Sequence, residues 1–133
     1  ERRLTRSDAF SADGWQESSF QPVGRADAVQ ALGSNVTCRA SGPRELEFRF
    51  AENQGTLTFE VAQAMSSPSS EESLEWALVV DGRQIETKRI AFKETVEFTT
   101  SLAGVAVVKL QVKNPSPCSG HAVGLVTSAV IEG

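Results

Sequence analysis

Tyrosine is missing from this chain, and histidine and methionine occur once each. A single histidine excludes any site that needs a pair, such as a zinc centre built on several imidazoles. The two cysteines, Cys38 and Cys118, stand 80 positions apart, so neither belongs to a CxxC redox or zinc motif. Positive charge is the scarcer sign: 13 Lys plus Arg oppose 17 Asp plus Glu, a formal net charge of −4. A nucleic-acid binder presents a basic face and an anionic membrane surface attracts one, so both partners are excluded on charge. Long apolar runs are also lacking. No stretch nears the roughly 18–20 residues of a bilayer span, and no basic-then-apolar signal segment opens the chain. Membrane insertion of this segment is therefore not expected, and no cofactor or metal motif appears.

What is present is ordinary globular material: 133 residues, 40% hydrophobic and 23% charged. That length suits one domain spanning 1–133. The first residue is Glu1, as in a mature product or an excised piece of a longer protein.

Two zones differ in pattern. Residues 1–34 are polar and irregular, read as an arm and first loop. From about residue 35 onward, short runs with period-2 alternation are punctuated by turn residues, the signature of a β-sandwich or barrel. The expected strands are Asn35–Ala40, Glu45–Phe50, Thr56–Ala64, Leu74–Val80, Arg83–Ile90, Lys93–Thr100, Val105–Lys113 and Val123–Ile131. In Glu45–Phe50 the apolar Leu46, Phe48 and Phe50 alternate with Glu45, Glu47 and Arg49, giving one buried and one charged face. Asp81-Gly82 tolerates positive φ and joins its two flanking runs as a hairpin. Ser66 to Ser73 is a loop by composition, and Asn114 to Gly120 a longer connection. The reading is all-β: a jelly-roll sandwich of about eight antiparallel strands in residues 35–133, with an irregular N-terminal arm.

The even cysteine count favours a Cys38–Cys118 disulfide, with two buried free thiols as the alternative. A bridge closing so long a loop contributes about 4–5 kcal/mol on the loop-entropy model and implies an oxidising compartment. Among the aromatics, Trp76 lies in register with Leu74 and Leu78 and points to the core. Trp15 sits in a polar segment without alternation, which makes it a candidate exposed contact, or else the anchor that packs the arm. His121 precedes the last strand, and no GxSxG element accompanies it; a structural hydrogen bond or a ligand contact are both open to it. Asp81 and Arg83 serve the turn first, and their donors and acceptors also suit hydroxyl pairs. Asn35-Val36-Thr37 matches a glycosylation sequon within an expected strand.

Ala31-Leu32-Gly33-Ser34-Asn35-Val36-Thr37, Leu78-Val79-Val80-Asp81-Gly82-Arg83 and His121-Ala122 carry a resemblance. Over about Phe20 to Ile131 the chain resembles the NPCBM family of novel carbohydrate-binding modules, a group of galactose-binding-like jelly rolls. It departs from that pattern after His121, reading Val123-Gly124-Leu125 where the family places Asp and Trp. The resemblance implies a non-catalytic binding module of an exported or cell-surface protein with a carbohydrate ligand, held on a shallow surface by Trp15, Asp81, Arg83 and His121. Structural calcium accompanies this fold class, but no dense acidic loop cluster matches a calcium motif. The alternative is a structural or sensory ectodomain of a bacterial membrane protein, such as a receptor kinase, that contacts protein and has no sugar site. An enzyme is not expected, because no nucleophile is paired with a base.

Overall fold

The computed structural model describes residues 1–38, 42–51, 54–115 and 120–133. Ten strands are named among them: β1 Arg2–Arg3, β2 Gln16–Phe20, β3 Val29–Val36, β4 Arg44–Arg49, β5 Thr56–Gln63, β6 Leu74–Val80, β7 Arg83–Ile90, β8 Val96–Ser101, β9 Val107–Lys113 and β10 Ala122–Glu132. They form two antiparallel sheets. One runs β2-β3-β10-β5-β8 with β1 attached to β10, and the other β4-β9-β6-β7. The molecule is a jelly-roll β-sandwich, as the alternation predicts.

Period-2 patterning explains which face each strand buries. Leu46 and Phe48 of β4, Leu57, Phe59 and Val61 of β5, Leu74, Trp76 and Leu78 of β6, and Val108, Leu110 and Val112 of β9 all point inward and pack into one cluster. Each fully buried large side chain contributes about 1.5–3 kcal/mol relative to exposure. The outer face of β4 and β9 carries Glu45, Glu47, Lys109 and Lys113, where Lys109 lies 4.0 Å from both Glu45 and Glu47.

The N-terminal region holds more regular structure than its pattern predicts. β2 reads QESSF and supplies no apolar alternation; it exists because its backbone pairs with β3, from Gln16↔Gly33 to Phe20↔Val29. β3 starts at Val29, ahead of the expected Asn35, and of that expected strand Arg39 and Ala40 lie outside the described residues. Alternation is lost in β3 because Ala31, Leu32 and Ser34 are all buried. Gly33 must be small: a Cβ there would lie 2.5 Å from the ring of Phe20, which covers it. The segment after β2 then crosses the sheet, with a Pro22↔Ala64 bridge and Val23 N–H donating to Gln63 O at 3.0 Å.

The Asp81-Gly82 hairpin forms where expected, with φ of 47° at Asp81 and 82° at Gly82. Cys118 lies outside the described residues, as do Ser116, Pro117 and Ser119 of the expected 114–120 connection.

Candidate functional site

Strand register separates the sandwich into two ends. At one end, β6 finishes at Val80 and β4 at Arg49, and both abut the start of β9 through Val80↔Val108 and Arg49↔Val107. The other end holds Leu74, Arg44 and Lys113. β6 spans about 20 Å between them at roughly 3.3 Å per residue.

Asp81 and Arg83 lie at the first end. Asp81 closes its turn and also reaches across to the next connection, where its Oδ1 accepts N–H bonds from Ala106 (3.1 Å) and Val107 (2.9 Å). Ala106 O in turn accepts the Phe50 N–H at 2.9 Å. Arg83 is exposed on β7.

His121 is at the opposite end. Its neighbour Gly120 donates its N–H to Glu72 Oε1 at 2.5 Å, and Asn114 Nδ2 holds Gly120 O at 3.1 Å. Half-buried His121 therefore sits beside the loop that leads into β6 at Leu74, a strand length from Asp81. The structure does not bring the four expected residues together.

Trp15 requires a correction. It is 4% exposed, so its ring offers no stacking surface; it packs 6.3 Å from Trp76, which is 0% exposed. The polar segment around it is held in place by its backbone: Arg6 Nε donates to Trp15 O at 2.8 Å, and Ser34 Oγ to Gly14 O at 2.8 Å. Anchoring of the arm is what the tryptophan does. Trp15 Nε1, Trp76 Nε1 and Arg44 Nε find no acceptor among the described residues.

The end that carries Asp81 also carries a cleft of about 540 Å³. Its floor is apolar, from Leu4, Phe48, Leu102 and Ile131, and its rim is polar, from Glu1, Arg2, Asp8, Arg49 and Gln54, with Phe50 beside them. β1 brings Arg2 there by pairing with Ile131. The 3₁₀ turn Arg6–Asp8 brings Asp8, whose carboxylate accepts the Thr5 N–H at 2.7 Å, the Thr5 hydroxyl at 3.1 Å and Arg2 Nη2 at 3.2 Å. The Thr5 backbone bond, above all, holds the Asp8 pKa below the usual carboxylate value, with Arg2 adding to it. A rim with fixed charges of both signs over an apolar floor suits a neutral polyhydroxylated ligand. Each hydroxyl donates to a carboxylate and accepts from a guanidinium.

A second, smaller cavity of about 260 Å³ lies where β3 and β1 part along β10, between Leu32, Val126 and Ala129. Arg3 spans that gap by donating to Gln30 O and Thr127 O, both at 3.0 Å. Among the described residues, no group of three His, Cys, Asp or Glu is placed to hold a metal ion, and no helix is long and apolar enough to cross a membrane.

Sequence reasoning missed the cleft. Its members come from the first eight residues, the end of β4, residue 54, Leu102 and the end of β10, and no local motif links segments so far apart in the chain. The one available signal was Arg49, a charged residue in outward register followed by Phe50.

Solved structures share this architecture. The CBM51 module of Clostridium perfringens GH95, solved in complex with methyl-galactose, superposes with a TM-score of 0.68 at 13% identity, covering 97% of this chain and 95% of that one. The fold is that of the CBM51 carbohydrate-binding modules. A second example is the structure of CBM51-2 in complex with GlcNAc and INT domains from Clostridium perfringens ZmpB. It gives a TM-score of 0.68 at 12% identity over 99% of this chain and 32% of that one. A cleaved adhesin domain of Lys-gingipain from Porphyromonas gingivalis follows at 0.56, with 12% identity over 99% of this chain and 98% of that one. No family model and no curated protein matches the sequence.

Proposed function

We propose that this chain is a single, non-catalytic carbohydrate-binding module, part of an exported or cell-surface protein. The observation that carries the reading is the near end-to-end likeness to a module solved with methyl-galactose. The cleft bounded by Arg2, Asp8, Arg49, Phe50 and Gln54 supports it, because a neutral, hydroxyl-rich ligand matches its rim. Asp81 keeps a role at this end by fixing the Ala106–Val107 backbone, whereas exposed Arg83 begins β7, at the opposite edge of the sheet from β4, and does not line the cleft. His121 lies a strand length away, outside the cleft.

An oxidising compartment and a Cys38–Cys118 bridge belong to the same reading. Intact mass with and without reductant reads the bridge directly, through the hydrogens it gives up.

The alternative, a structural or sensory ectodomain of a membrane protein without a sugar site, is favoured by the likeness to an adhesin domain. A glycan array decides between the two. The module reading expects a defined glycan class to bind, with a dissociation constant in the millimolar range or tighter, about −4 kcal/mol. No binding to any glycan at millimolar concentration would overturn it.

A further inference from the structure

Phe10 is the most exposed of the large hydrophobic side chains described, at 60%. An aromatic ring in that position forgoes the stabilisation that burial would give. It is nevertheless held firmly. Phe10 N–H donates to Glu47 O at 2.8 Å, and Ser11 forms a bridge with Glu47, which pins the segment to the edge of β4. The Arg49 guanidinium lies 3.2 Å from the centre of the Phe10 ring, and Arg49 Nε donates to Glu47 Oε2 at 2.7 Å. One ring face is therefore closed by a cation that a carboxylate fixes in place, while more than half of the residue stays open to solvent. Arg49 also lines the cleft at the end of the sandwich, as does Asp8, two positions before Phe10. Ring and cleft thus share a wall.

We propose that Phe10 is a stacking platform for one sugar ring of the ligand on the face that Arg49 leaves open, with Arg49 backing the opposite face and Asp8, two positions before Phe10, accepting from that sugar's hydroxyls. The inference deepens the carbohydrate reading and rests on it. The chemistry follows from the parts. The face of an aromatic ring is electron-rich and attracts the polarised C–H face of a pyranose. The hydroxyls project from the edge of the same pyranose, where a carboxylate accepts. Stacking of the guanidinium against Phe10 orders both groups before the ligand arrives, which lowers the entropic cost of binding. The chain contains no tyrosine and its two tryptophans are buried, so Phe10 supplies this contact in their place.

The test uses calorimetric titration of the strongest array glycan into the intact chain and its variants. Phe10→Ala should weaken binding by about tenfold or more, the scale of one lost aromatic contact, with an unchanged melting temperature. Phe10→Trp should retain or strengthen it. Ile85→Ala, which removes an exposed apolar side chain on β7, should bind as wild type does. If wild type binds a glycan and folded Phe10→Ala binds it equally well, the platform is overturned and the module reading stands. If wild type binds no glycan, both fall together.

Discussion

The two ends of this sandwich use aromatic residues in opposite ways. At the end marked by Arg44 and Leu74, Trp15 and Trp76 lie inside with ring centroids 6.3 Å apart, and their indole N–H groups lack an acceptor among the described residues. At the end marked by Arg49 and Asp81, Phe10 lies outside, propped by an ion-paired guanidinium next to a cleft with a charged rim. Unpaired buried donors cost about 1–3 kcal/mol each, so the first end accepts polar loss to gain packing. The second forgoes packing to keep an ordered polar surface. The lesson is that residue type alone misleads: the tryptophans hold the fold together, while a phenylalanine stays on the surface against an arginine.

The largest effects should fall at the tryptophan end. Trp76→Ala and Trp15→Ala should each lose about 3–5 kcal/mol of stability in denaturant titrations, while molecules that remain folded keep their glycan affinity. Retained stability with lost binding in Trp15→Ala would break the comparison. Next comes Gly14→Ala, which places a Cβ 2.8 Å from Arg44 Nη1 at a φ of +83°. Its expected cost is about 1–3 kcal/mol, read by the same titration.

Asp81→Ala strips the acceptor from the Ala106 and Val107 N–H groups and should cost about 1 kcal/mol, whereas Asp81→Asn, which keeps an acceptor and tolerates positive φ, should melt close to wild type. Equal melting of all three proteins would mean that the turn does not organise the cleft end.

The smallest effect is the pH dependence set by Asp8. Its folded pKa is depressed, so its contribution to stability is complete above the unfolded value near 3.8 and is lost as pH falls through the folded one. Wild type and Asp8→Asn should therefore differ at neutral pH and converge in strong acid, followed by thermal melts across that range. A constant gap down to the lowest pH would rule out the charge of Asp8 as its source.

Much of the fold was legible. Leu74–Val80 and Arg83–Ile90 were read to the residue, because an Asp-Gly turn and a half-buried face leave clear local marks. β2 and the first half of β3 were not, because QESSF carries no apolar alternation and β3 buries residues on both faces. The site was less legible. For Trp15 the sequence left an exposed contact and an anchor for the arm both open, and the polarity around it belongs to the hydrogen bonds that seat it as the anchor. Phe10 was passed over, because only tertiary pairing with Glu47 and Arg49 distinguishes it from any other residue of the arm.

An amide NMR titration with the strongest array glycan tests the division of labour between the two ends most directly. The account predicts shift changes concentrated at Asp8, Phe10, Arg49, Phe50 and Gln54. Changes concentrated instead at Trp15, Arg44 and His121, with the Phe10 end silent, would contradict it.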